Sequence, residues 1–179
     1  MKLTKKQATI KYCVYCLLIV IADLMQNVGG LWFEIGGARC FFVIPVAVIL
    51  GIDEDEKTAA LLGFFAGLLW DCVARQHMGF NCIFLMLLCF VISSFVSYLF
   101  RPTYWICALS AVFTVFLYCV IYWLLFMVIV HSEGSVQTIA SFYIPSALYT
   151  SVMTLALCAL IMPLKRKLNK EVEFENNFA

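Results

Sequence analysis

The chain has 179 residues, 64% of them hydrophobic and 13% charged, with a mean hydropathy of +0.98. A soluble domain of that length cannot hide so much apolar surface, so the bilayer is its solvent. The formal net charge of +1 argues against a nucleic-acid partner, and long continuous apolar runs argue against the alternating strands of a β-barrel.

The start, MKLTKKQATIK, carries four lysines ahead of an apolar run from Tyr12 to Ala22. Asp23 interrupts the run and no small-x-small cleavage site follows, so it reads as an uncleaved first span at about residues 9–29. Gly29 and Gly30 open a loop with Trp32, Phe33, Glu34, Gly36, Gly37 and Arg39, whose aromatics suit a membrane–water interface. A second span at about 38–52 contains Pro45 and is short for a crossing, which needs about twenty residues. Leu31 to Ile35 offer it a re-entrant or interfacial lead-in.

The DEDEK run at 53–57 forces the chain out of hydrocarbon as a solvated acidic turn. It also favours the positive N-terminal end of the following helix, with docking of a basic partner as a sharper role. The third span runs at about 58–74, a tight turn follows at Arg75, Gln76 and His77, and the fourth span occupies about 79–99. Arg101-Pro102 ends it, because proline lacks an amide donor and restricts its predecessor. The fifth span, about 104–130, has almost no polar content, and His131, Ser132, Glu133 and Gly134 form the next loop. The sixth, about 139–163, closes at Pro163 before the basic KRKLNK and an acidic, disordered tail. The expected fold is therefore an all-α integral membrane protein, with about six transmembrane helices in a single bundle over residues 1–179. Six crossings put both termini on one side, with every lysine and arginine except Arg39 and Arg75; by the positive-inside rule that side is the cytoplasm.

The chemistry-bearing residues concentrate in Gly63 to Asn81, GFFAGLLWDCVARQHMGFN. On a helix, Ala59, Gly63, Gly67 and Asp71 recur every four residues and form one face without bulk until a carboxylate. Such a ridge lets another helix approach closely. Asp71 lies about 18 Å beyond Ala59 at helical rise, near the outer end of the span. An intramembrane acid is a candidate proton relay, ion ligand or partner contact. The plainer role is structural: accepting a hydrogen bond from Asn81 or from a backbone amide of the next helix, with Arg75 one turn away as ion-pair partner. Asp23 lies at similar depth, in a polar outer pocket with Gln26, Asn27 or Arg39. Two acids could share a cation, but no third oxygen-rich residue clearly stands beside them, and a metal site is not expected.

The nine cysteines form no disulfide framework: their number is odd and most lie inside apolar runs. Cys13 and Cys16 form a CxxC, yet a metal or redox site wants a second pair or nearby histidines. Small hydrophobes in a membrane core is the simpler reading. No GxSxG, HExxH or phosphate-binding loop is present. The chain reads as a scaffold or binding bundle more than an enzyme, with no catalytic residue and no cofactor expected.

A GFxxGLxxD segment, a turn, and then MGFN opening the next span resembles the rod shape-determining MreD family. Here those residues are Gly63, Phe64, Gly67, Leu68, Asp71, Gly79 and Asn81, with Arg75 in the turn between. The resemblance implies an inner-membrane, non-enzymatic member of the elongasome, which supports rod shape and lateral peptidoglycan synthesis. It implies an MreC-like bitopic partner and, through it, MreB-like, RodA-like and penicillin-binding transpeptidase proteins. It also implies a bundle similar to the substrate-binding subunits of ECF-type vitamin transporters. That leaves a rival reading, a transporter subunit with a small-molecule pocket near Asp23, Asp71 and Asn81. One departure is that Arg39 is followed by Cys40, where the family often has proline.

Overall fold

The computed structural model describes residues 5–27, 34–35, 38–74, 79–99, 103–129 and 135–176. Helix α1 spans Lys5–Asn27, and two two-residue strands, β1 (Glu34–Ile35) and β2 (Ala38–Arg39), pair antiparallel. Then follow α2 (Val43–Gly51), α3 (Glu56–Ala74), α4 (Phe80–Leu99) and α5 (Tyr104–Trp123), the last extended by a π-helical turn, Leu124–Val128. A short α6 (Ser135–Thr138) leads through a second π turn, Ile139–Tyr143, into α7 (Ile144–Asn176). The interfacial loop at 29–33, the Arg75–His77 turn, the Arg101-Pro102 stop and the loop at 131–134 lie outside the described residues.

Among the described residues, five helices are long and apolar enough to cross a bilayer: Ala8–Asn27, Glu56–Ala74, Phe80–Leu99, Tyr104–Phe126 and Ile139–Asn169. The shortest has 19 residues, about 28 Å at helical rise. Their outer faces keep large apolar side chains exposed, among them Leu17, Leu61, Leu87, Phe113 and Leu160, as a lipid-facing surface requires.

The expected second span is not a sixth crossing helix. α2 has 9 residues, all of them buried, and about 13 Å of helix cannot span hydrocarbon. Its sequence, VIPVAVILG, is apolar on every face, which suits a helix enclosed by others. It packs against α1, α3, α4, α5 and α7. Residues 40–42 lead into it without helical structure. Non-helical backbone at membrane depth is tolerated only where protein satisfies its polar groups, and here side chains do so. Arg39 N donates to Ser146 Oγ (3.0 Å), Phe41 N to Thr150 Oγ1 (3.0 Å) and Val43 N to Gln26 Oε1 (3.1 Å). Pro45 sits in the first turn of α2, where an amide donor is not needed.

The far end of α2 is closed by a cation. Lys165 Nζ, 2% exposed, donates to Ile49 O (3.0 Å) and Leu50 O (2.8 Å) and pairs with Asp53 at 3.1 Å. A cation at these last carbonyls compensates the negative end of the helix dipole. Ser146 and Lys165 are nineteen positions apart on α7, so residues 39–50 run beside roughly 28 Å of that helix.

The acidic turn is not simply solvated either. Glu54 is 7% exposed; its Oε1 lies 2.6 Å from Lys11 Nζ and accepts from Tyr15 Oη at 3.2 Å. Ser93 Oγ donates to Glu54 O and Ser94 Oγ to Glu56 Oε1. Two long lysine side chains reach inward and neutralise Asp53 and Glu54, so these acids tie α1, α4 and α7 together. Nor does the last helix stop at Pro163, which lies inside α7. A proline there forgoes one intrahelical bond, to Ala159 O, without ending the helix. The expected disordered tail is likewise helical as far as Asn176.

Candidate functional site

At the end of the bundle opposite Lys11 and Lys165, α3 and α4 meet more closely than side chains allow. A Cβ at Gly67 would lie 2.5 Å from Cys82 Cα and 2.6 Å from Asn81 C; one at Gly63 would lie 3.0 Å from Cys89 Cβ and closer still to Leu85 O. Real carbon atoms do not approach so closely, so hydrogen is the only side chain these positions accept. Ala59, one turn earlier, is fully buried and packs against α2, where a Cβ at Gly51 would stand 3.2 Å from its own Cβ. The small-residue ridge therefore faces α2 at its start and α4 along the rest.

Asp71, 3% exposed, ends the ridge as an acceptor for the first turn of α4. Its Oδ2 accepts from Gly79 N and Cys82 N, both at 3.0 Å, and its Oδ1 accepts from Asn81 Nδ2 at 2.8 Å. The N-terminal amides of a helix lack intrahelical acceptors and carry the positive end of its dipole. A carboxylate from the preceding helix supplies both the acceptor and the charge. Gly79 enters this turn at φ +92°, a left-handed conformation that side chains disfavour. Asn81 Oδ1 in turn accepts from Tyr118 Oη at 2.8 Å. The chain Tyr118–Asn81–Asp71 thus links α5, α4 and α3. Three N–H donors are directed at the Asp71 carboxylate, which ties the first turn of α4 to the end of α3.

Asp23 Oδ1 accepts from Asn27 Nδ2 at 2.8 Å, on its own helix. Gln26 is occupied by Val43 N. Arg39 is exposed, pairs in strand register with Glu34 and anchors its amide on Ser146. Arg75 lies outside the described residues, as does His77. Among the described residues no three His, Cys, Asp or Glu side chains are grouped to hold a metal ion. All nine cysteines are free, and six of them, Cys40, Cys82, Cys89, Cys107, Cys119 and Cys158, are buried.

Sequence reading passed over what surrounds the joint. Trp70 and Tyr118 have ring centroids 5.1 Å apart, Phe41 and Trp70 5.8 Å, Tyr118 and Tyr122 5.6 Å, and Tyr122 and Tyr143 6.1 Å. These rings, with Asn81, Ala74 and Phe142, line a cavity of about 220 Å³. The sequence signal was a tryptophan beside Asp71 and tyrosines one turn apart at 118 and 122. Also passed over were Ser146, Thr150 and Thr154, three fully buried hydroxyls at four-residue spacing on α7. Thr150 and Thr154 return their own protons to carbonyls one turn back, which leaves the Ser146 and Thr150 oxygens to serve the amides of residues 39 and 41.

No curated protein and no solved structure matches the chain. The family described as rod shape-determining protein MreD matches residues 7–168. That stretch includes the five long helices almost entire, the enclosed α2 and the α3–α4 joint; this multi-pass membrane protein belongs to the MreD family.

Proposed function

We propose that this chain is a non-enzymatic scaffold of the elongasome in the bacterial inner membrane, holding the membrane helix of an MreC-like bitopic partner. Through that partner it meets MreB-like, RodA-like and penicillin-binding transpeptidase proteins and supports lateral peptidoglycan synthesis. The family match over residues 7–168 carries the reading. The charge distribution supports an orientation with both termini in the cytoplasm, since the topology expected from the sequence assigns only Arg39 and Arg75 of the 12 basic residues to the other side. The joint at Gly63, Gly67, Asp71, Gly79 and Asn81 is then structural: it fixes how α3 and α4 meet and so presents the lipid-facing surface as one rigid unit.

On that surface, an apolar groove of about 550 Å³ lies between α4 and α5, lined by residues that include Val91, Phe95, Val96, Ile106, Leu109 and Phe113. Its shape suits a ridge of side chains on a partner helix. The test is replacement of the chromosomal copy by Leu109→Trp, which fills the groove from an exposed position. The expected result is a folded protein in detergent, reduced co-purification of the bitopic partner, and rods that become round. Full partner recovery together with normal rods would overturn the groove assignment, and depletion of the wild-type chain without loss of rod shape would overturn the scaffold reading itself.

A further inference from the structure

The cavity of about 220 Å³ beside the Asp71 joint has no part in the scaffold reading. Its volume equals that of roughly seven liquid waters, room for a headgroup-sized molecule and not for a peptide segment. Four features limit its contents. Its lining includes the rings of Phe41, Trp70, Tyr118, Tyr122 and Tyr143, and among the described residues no lysine or arginine lines it. Ring faces are negative and attract a cation. Asn81, in its floor, is held by the Asp71 carboxylate at 2.8 Å, which adds negative potential from behind and opposes an anion. Lastly, Tyr143 is 6% exposed and, among the described residues, its hydroxyl has no hydrogen-bond partner. A buried hydroxyl is rarely left unpaired, so this one points to an occupant of the cavity.

We propose that this aromatic cavity binds an organic ammonium group, received against Trp70, Tyr118 and Tyr122, with the Tyr143 hydroxyl bonding a polar atom of the same molecule. The ammonium has two possible sources, a small soluble amine or the headgroup of a zwitterionic phospholipid at the membrane surface. Both present the same cation at the end of α3 where the cavity lies.

The test uses the purified full chain in detergent. Choline and ethanolamine hydrochloride are titrated by calorimetry against 3,3-dimethylbutan-1-ol, the uncharged carbon analogue of choline, with sodium chloride as the ionic control. The expected result is saturable binding of the two ammonium compounds and none of the alcohol over the same range. Tyr143→Phe conserves ring and volume and Trp70→Phe keeps a smaller aromatic ring, and each should weaken choline binding by about threefold to tenfold while the protein still elutes as a folded species. Nanodiscs separate the sources: if phosphatidylethanolamine suppresses choline binding and phosphatidylglycerol does not, the ligand is a lipid headgroup. If binding is equal in both, it is a soluble amine. Equal binding of choline and the alcohol, no binding by any of the three, or unchanged affinity in both variants would each overturn the assignment. None of these readouts depends on cell shape, so failure here leaves the scaffold reading untouched, and the reverse also holds.

Discussion

Gly67→Ala is the sharpest perturbation of the joint. A single methyl at this position lands 2.5 Å from Cys82 Cα and 2.6 Å from Asn81 C. Both are backbone atoms of the first turn of α4, so no side-chain rotation relieves the overlap. Overpacking of this kind costs about 1–3 kcal/mol. Any outward shift of α4 also lengthens the bonds from Gly79 N, Cys82 N and Asn81 Nδ2 to Asp71, each charge-assisted and worth about 1.5–3 kcal/mol. Working against this, alanine is the better helix former by about 1 kcal/mol. The steric and hydrogen-bond terms win, with a net loss of about 2 kcal/mol or more, or a melting temperature lower by roughly 4–8 °C for a chain of this size. Gly79→Ala is the control: nothing lies within 4 Å of its added Cβ, and only the +92° φ opposes it, at about 1–2 kcal/mol. Thermal unfolding in detergent, followed by tryptophan fluorescence, reads both, and Gly67→Leu should then fail to give a folded peak. A Gly67→Ala protein melting within about 1 °C of wild type would refute the close α3–α4 approach and the reasoning built on it.

Asp71→Asn keeps the size of the side chain but replaces one acceptor oxygen with a donor that faces backbone amides; it should cost about 1–3 kcal/mol, and stability equal to wild type in urea would contradict the anchoring role. Lys165→Met leaves Asp53 without its partner and Ile49 O and Leu50 O without their cap. A loss of about 3–5 kcal/mol is expected, and adding Asp53→Asn should restore part of it; no restoration would show the two side chains to be uncoupled. Thr150→Val conserves shape and orphans Phe41 N, for about 1–3 kcal/mol, which hydrogen exchange should register as lost protection at that amide. In a double-mutant cycle, Lys11→Met and Glu54→Gln should show a coupling of about 0.5–3 kcal/mol, and additivity would place the pair in solvent.

The sequence by itself determined the membrane class, because no other solvent accommodates 64% hydrophobic residues in runs long enough to cross. The Gly63–Gly67–Asp71 ridge was legible for a local reason: helical periodicity places residues four apart on one face whatever surrounds them. Asn81 was legible as a partner because it opens the next helix, ten positions on. The second span, expected at about 38–52 and short for a crossing, could not be resolved further on the same local grounds. An apolar stretch looks alike whether lipid or protein surrounds it, and only packing against α1, α3, α4, α5 and α7 shows VIPVAVILG to be an enclosed half-length helix. Whether its approach could stay non-helical depended on Thr150, 109 positions away, and its C-terminal cap on Lys165, 115 positions from Leu50. Lys11 and Glu54 read separately as a membrane flank and a solvated turn, since nothing in local spacing relates them. Hydrophobicity and period are properties of a segment and can be read from it. Satisfaction of a buried amide or charge is a property of two distant segments brought together, and the tertiary structure alone decided which ones meet.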